Sequence, residues 1–124
     1  MMATPMLRFA GAVLLIALTA ACASPFKSAY DAPNGKTLVI TKAEWAGFQT
    51  YLSLIGSTRP GAFSLHVTNG QTDDYHYSLC EYDSCIGGPA YPNAAMNICL
   101  RDGGECVLFA NNREILLNYR LADQ

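Results

Sequence analysis

The sequence predicts an α+β fold: a small disulfide-stapled domain with an antiparallel sheet of three to five short strands and two helices packed on it. Three observations carry this. Thr41 to Ile55 repeats its apolar residues with a helical period, Ala62 to Leu79 alternates with the period of a strand, and Cys80, Cys85, Cys99 and Cys106 crowd into one stretch. That stretch, Tyr75 to Tyr119, reads as a strand, helix, strand unit closed by two disulfides.

The case for an oxidising compartment begins at the N-terminus. Met1 to Arg8 carries a single charge, Arg8, and Phe9 to Ala21 is an uncharged apolar run of about 13 residues. At ~1.5 Å per residue this is too short to cross a hydrocarbon core, which takes roughly 20 residues, so it reads as the apolar part of an export signal. Leu18-Thr19-Ala20-Ala21-Cys22 then resembles the lipobox of bacterial lipoproteins, with Thr19 where that family usually has Leu, Val or Ile. The resemblance implies lipidation of the Cys22 thiol. Ala23 and Ser24 replace the aspartate that commonly retains lipoproteins in the inner membrane, which implies the outer membrane, facing the periplasm. Cleavage after Ala21-Cys22-Ala23 also fits the small-x-small rule and gives a soluble periplasmic protein with an unpaired thiol. Lipidation accounts for the odd cysteine and leaves four to pair. The expected organisation is a signal peptide over 1–21, a tether over 22–36 and one α+β domain over 37–124.

About a hundred residues follow Cys22, enough for one modest core and not for two. Domains of this size are often stapled, and each short-loop disulfide contributes ~2 to 3 kcal/mol in the chain-entropy model. The chain carries a net charge of −2, and the lysines and arginines of its mature part stand singly. Nucleic acid and anionic membrane surfaces both require a basic cluster, so neither is expected as a partner surface. Contact with the membrane is expected through the lipid anchor alone.

Ala23 to Gly35 is rich in small residues and turn formers, and Thr37 to Ile40 is a short β-prone entry. Thr41-Lys42-Ala43-Glu44 is a capping-box sequence: the Thr41 hydroxyl accepts from the Glu44 amide and the Glu44 carboxylate returns to the Thr41 amide. Ile40 and Trp45 flank it as a hydrophobic staple. Trp45, Phe48, Leu52 and Ile55 form one helical stripe that ends near Gly56. Trp45, Phe48 and Tyr51 also suit an aromatic ligand box, but the stripe shared with Leu52 and Ile55 favours core packing.

Ala62 to Thr68 places Phe63, Leu65 and Val67 on one face of a strand. Asn69-Gly70 favours a two-residue turn, yet that turn sets Val67 against Thr72 and Leu65 against Asp74. Tyr75, Tyr77 and Leu79 share a face with Phe63, Leu65 and Val67 when the loop has an odd length, so a three- or five-residue loop within Asn69 to Asp73 is expected. The five-residue loop sets His66 opposite His76. Ser64, Ser78 and Asp74 lie near them, and two facing imidazoles with a nearby carboxylate could begin a metal site, but two histidines on the wet face of a hairpin fall short of the three or four ligands a site requires, so neither metal nor cofactor is expected.

Cys80 to Cys85 brackets a polar loop, Ile86 to Tyr91 is an irregular connection, and Pro92 suits the first position of a helix over Asn93 to Arg101 with Ala95, Ile98, Cys99 and Asp102 along one side. Gly103-Gly104 stops it. Cys106 to Ala110 is almost wholly apolar, as a central strand covered on both faces is, and Ile115 to Tyr119 returns as a last strand after the Asn111-Asn112 turn. Four cysteines allow three connectivities. Cys80 with Cys85 and Cys99 with Cys106 is favoured, because each pair brackets a short turn. The rival, Cys80 with Cys106 and Cys85 with Cys99, requires the strands carrying Cys80 and Cys106 to be neighbours.

Tyr75-His76-Tyr77-Ser78, then Asn93-Ala94-Ala95-Met96-Asn97-Ile98-Cys99 and Cys106-Val107-Leu108-Phe109-Ala110, resemble a small cysteine-containing module of exported proteobacterial proteins. The resemblance spans Ala62 to Leu117 and implies compartment and fold, with no catalytic residue.

The inventory of motifs excludes the usual enzymes. There is no Gly-x-Ser-x-Gly elbow, no His-Glu-x-x-His and no phosphate-cradling glycine loop. Cysteine catalysis needs a free thiolate, and the loop acids Asp73, Asp74, Glu81 and Asp83 have no reason to carry a raised pKa. A non-enzymatic role is expected: an envelope structural or interaction lipoprotein that docks an unknown periplasmic or outer-membrane protein through Tyr75, Tyr77, Glu81 and Asp83. The alternative is an inhibitor or immunity lipoprotein that inserts Glu81 and Asp83 into a lytic enzyme or toxin.

Overall fold

The computed structural model describes residues 26–82 and 84–123. Cys22, with the whole leader, and Asp83 lie outside the described residues. The elements run β1 (Leu38–Ile40), α1 (Lys42–Ile55), β2 (Gly61–Thr68), β3 (Gln71–Leu79), α2 (Ala90–Arg101), β4 (Glu105–Asn111), β5 (Glu114–Ile115) and β6 (Tyr119–Leu121). The class is α+β as the sequence predicts, with one mixed sheet of six strands in the order β5-β4-β2-β3-β1-β6. β1 runs parallel to both β3 and β6, whereas β2, β3, β4 and β5 pair antiparallel.

The sheet is curled. β5 is paired at Ile115 and β6 at Tyr119, on opposite edges of the sheet. Four residues span at most ~14 Å, whereas five interstrand gaps of ~4.8 Å in a flat sheet put the edges ~24 Å apart. The edges therefore bend towards each other around α1. Tyr119 of β6 meets Phe109 of β4 edge to face at 5.4 Å and stacks on Trp45 of α1 at 5.4 Å, a contact across the concave side. The expected final strand Ile115 to Tyr119 is thus two strands, one on each edge, joined by a segment that carries the buried Leu117.

On the concave face Phe48 packs on Phe63 at 5.2 Å and on Phe109 at 4.9 Å, and Tyr51 packs on Phe63 at 5.4 Å. The buried stripe of α1 is Glu44, Gly47, Phe48, Tyr51 and Ile55, rotated from the expected one, with Trp45 and Leu52 at its margin. Tyr51 belongs inside because its hydroxyl donates to the Asn112 carbonyl at 2.7 Å. Gly47 is required by close approach: a Cβ there meets the Tyr75 ring at 2.5 Å. The helix start also differs from a capping box. The Thr41 amide donates to the Thr72 hydroxyl at 3.0 Å, and the Thr41 hydroxyl contacts the Glu44 carboxylate. At the other end the Leu52 carbonyl accepts from the Gly56 amide, and Arg113 donates to the carbonyls of both Leu52 and Gly56, bracing the end of the helix.

The convex face carries α2 over Ala62, Ser64 and Leu108, with Ala95 and Met96 packed into a second, smaller core. Ser64 donates its hydroxyl to the Ala95 carbonyl at 2.8 Å. Coverage on both sides explains the unbroken apolar run of β4. α2 begins earlier than expected, at Ala90, and Pro92 sits inside its first turn, where an amide would be unbonded in any case. Pro92, Ala95, Met96 and Cys99 are its buried residues, while Asp102 is exposed.

The segment expected as a tether is docked from Phe26 onwards. Phe26 packs against the α2 core, Tyr30 is buried, Asp31 bridges Leu117, and the Asn118 amide donates to the Tyr30 carbonyl at 2.9 Å. The Asn118 side chain closes the next turn on Pro33 and Gly35.

The hairpin corrects the expected odd loop. Asn69 and Gly70, with φ of 52° and 77°, form a two-residue turn, and Val67 does face Thr72. Thr72 is buried with its hydroxyl satisfied by Thr41. A β-bulge at Asp73 then shifts the register, so that Leu65 faces Tyr75 and Phe63 faces Tyr77. Tyr75 and Tyr77 lie on the expected face; a bulge, not the loop, supplies the extra residue.

Cys80 pairs with Cys85 and Cys99 with Cys106, at Cα separations of 6.0 and 6.1 Å. Cyanogen bromide cleavage at Met96, between Cys85 and Cys99, is expected to release separable fragments without reductant, since either other connectivity holds them together. Phe48→Ala is expected to lower stability by about 3 to 5 kcal/mol in urea unfolding, and Leu54→Ala, on an exposed position of the same helix, by under about 0.5 kcal/mol.

Candidate functional site

The residues singled out in the sequence separate into two regions. Tyr75 and Tyr77, expected on a docking surface, are half-buried against the concave core, where Tyr75 stacks on Phe63 at 5.5 Å and on Tyr77 at 6.4 Å. Tyr75 lies at the margin of the core, over Gly47 of α1. Tyr77 also reaches an open groove of about 490 Å³, together with Leu54, Arg59, Ser78, Leu79 and Glu81. Glu81 and Tyr77 thus line the same groove.

The groove lies along an unfinished edge. β1 pairs with β3 only through Val39 and Gln71, so among the described residues no strand adjoins the outer side of β3 from Asp73 onwards. Unpaired strand edges are templates for another chain. Next to it, the Cys80–Cys85 loop projects Tyr82 at 71% exposure and is followed by Ile86 at 90%, the most exposed large apolar side chains described. The unpaired part of β3 and the groove share Tyr77, Ser78 and Leu79, and Glu81 at the groove's rim belongs to the disulfide loop that carries the exposed Tyr82. Tyr77 and Glu81 stand out in the sequence through the tyrosine-rich hairpin and the cysteine loop; the open edge does not, because β1 gives no sign in the sequence of how few residues it pairs.

The second region is the convex end of the hairpin. His66 does not face His76: the bulge sets His66 opposite Asp74 and His76 opposite Ser64. The His66 Nδ1 lies 2.5 Å from an Asp73 carboxylate oxygen, and its Nε2 lies 2.8 Å from the Gly103 carbonyl. Both partners are acceptors, so the arrangement favours the imidazolium form, in which both ring nitrogens donate. The Asp73 hydrogen bond, then that of Gly103, raises the His66 pKa above the ordinary histidine range. The Thr68 hydroxyl, at 2.7 Å, and then His66 hold the Asp73 carboxyl below its ordinary value. The ring also packs on Gly104, where a Cβ would stand 2.5 Å from Nε2. His66 is thus a clamp between the hairpin and the α2–β4 turn.

No protein-family model matches the chain, and no curated protein or solved structure is significantly similar to it. No helix among the described residues is long and apolar enough to cross a membrane.

The clamp has a defined pH window. His66, with a raised folded pKa, contributes stability fully below the unfolded value of ~6.5 and loses it as pH rises through the higher folded value. Asp73, with a lowered pKa, contributes above its unfolded value of ~3.9 and loses that contribution as pH falls through the lower folded one. The difference in melting temperature between the parent and His66→Ala is therefore expected to be greatest between about pH 4 and 6.5 and to shrink on going to pH 9. A difference that grows with pH over that range contradicts the clamp.

Proposed function

We propose that the protein is an outer-membrane-anchored, periplasm-facing lipoprotein that acts as an interaction module of the cell envelope. The observation that carries this is the recognition surface on β3: an unpaired edge flanked by a groove and by the exposed Tyr82 and Ile86. A partner segment that adds as a strand gains main-chain hydrogen bonds from the edge, and its alternate side chains enter the groove. The compartment rests on the leader, on Cys22 in its lipobox-like setting, and on two disulfides that fit an oxidising environment. The partner is a periplasmic or outer-membrane protein. An inhibitor or immunity role employs the same surface with a different partner, a lytic enzyme or toxin, and Glu81 at the rim is the side chain that would meet a basic cleft.

A photo-crosslinking residue placed at Tyr82 or Ile86 in cells is expected to give one discrete adduct, and the same residue at Lys42 or Arg101 none. Adducts of equal yield at all four positions, or at none, overturn the docking surface. The identity of the adduct separates the roles: an assembly protein supports the structural one, a hydrolase or toxin the inhibitory one. Cys22→Ala is expected to abolish acyl labelling and move the protein out of the membrane fraction, because each buried acyl methylene contributes ~0.8 kcal/mol to membrane binding. Unchanged fractionation removes the anchor.

A further inference from the structure

We propose that Asp74, His76 and Asp102 form a binding site for a borderline divalent transition-metal ion, Zn²⁺ in the first instance. Asp74 and His76 stand two apart on β3 and so share the convex face, and Asp102 ends α2 above them. The His76 Nε2 lies 3.4 Å from Asp74 Oδ2 and 3.7 Å from Asp102 Oδ2, and one ligand atom from each residue falls within 4.8 Å of the other two. That Nε2 is shielded from solvent and makes no hydrogen bond. A shielded, unpaired ring nitrogen directed between two carboxylates calls for a positive charge at their common centre.

Geometry and donor chemistry select the ion. Ligand atoms held ~2.0 Å from a tetrahedral metal stand about 3.3 Å apart, close to the two observed separations to Nε2. The exposed carboxylate of Asp102, the farther of the two from Nε2, closes the remaining distance by side-chain rotation, and water completes the coordination. One imidazole with two carboxylates suits Zn²⁺ better than Mg²⁺ or Ca²⁺, which take oxygen ligands throughout, and the four described cysteines are paired and supply no thiolate. His66 is not a ligand, because both of its nitrogens are already engaged.

The surroundings hold the third ligand in place. Asp102 belongs to a turn that the Cys99–Cys106 disulfide closes and that the His66 hydrogen bond to Gly103 fastens to the hairpin. The carboxylate is therefore brought to His76 by connections that do not depend on the ion. Asp74 spends its other oxygen on the Tyr75 amide at 2.8 Å, which fixes its orientation and leaves Oδ2 for the metal.

The test is calorimetric titration of untagged, full-length, disulfide-intact protein with Zn²⁺, together with NMR of the histidine rings. One equivalent is expected to bind saturably and to shift the His76 ring nitrogens while leaving those of His66 in place. Affinity should fall at least tenfold in His76→Ala and in Asp102→Asn, an exposed isosteric change that keeps the fold, and should be unchanged in Glu114→Gln. Absence of saturable binding, a shift at His66 instead, or full affinity in Asp102→Asn overturns the site.

Discussion

The curl of the sheet is the constraint on which the rest depends. The link from Ile115 to Tyr119 joins the two edges of a six-stranded sheet and is too short for a flat one, so the strands must wrap. Wrapping creates a concave interior, and an aromatic helix fills it. Phe48, Tyr51, Phe63 and Phe109 meet there at centroid distances of 4.9 to 6.3 Å, most of them tilted or edge to face, which suits aromatic quadrupoles. The same link carries Leu117 into the core and pins the Tyr30 segment through Asn118. Removing the curl would therefore disconnect the N-terminal segment, the β6 edge and the seat of α1 together.

What the sequence made legible is local. The periods of α1 and β2, the Gly103-Gly104 stop and the pairing of nearest cysteines are all set by neighbours along the chain. What it concealed is set by distant partners. Tyr51 lies off the expected core stripe until Asn112 supplies an acceptor for its hydroxyl. Thr41 reads as one half of a capping box until Thr72 takes its amide. Asp73 reads as a loop acid, and its role as the bulge residue follows only from the need to bring Tyr75 and Tyr77 onto the face of Leu65 and Phe63. The candidate sites divide the same way: Tyr77 and Glu81 were visible as residue types, whereas Asp102 reaches His76 only through the fold.

The convex end of the hairpin shows how one irregularity serves several ends. Without the bulge, Asp73 would occupy an ordinary ladder position and the register of Asp74 and His76 would reverse. With it, Asp73 meets His66 and Thr68, while Asp74 and His76 turn towards α2. His66 is neutralised by Asp73, so the charge left beside His76 belongs to Asp74 and Asp102. That excess of negative charge around an unpaired ring nitrogen is a property of the fold, not of the local sequence.

The open edge of β3 has a physical origin of the same kind. β1 ends at Ile40 because Thr41 turns the chain into α1, and α1 then crosses the concave face instead of extending along the sheet. β6, on the far side of β1, is itself only three residues long. The curl thus leaves β3 paired on one side along its length and on the other only near Gln71. Exposed edges are usually blunted by charge or by a bulge. β3 has both, Asp73 and Asp74 with the bulge between the turn and Tyr75, and they protect only the hairpin end. The segment Tyr77 to Leu79 has neither, and it is there that the groove and the disulfide loop converge. Under the proposed interaction role, protection at one end and exposure at the other would give an added strand a single place to seat, favouring one specific partner over indiscriminate edge-to-edge association.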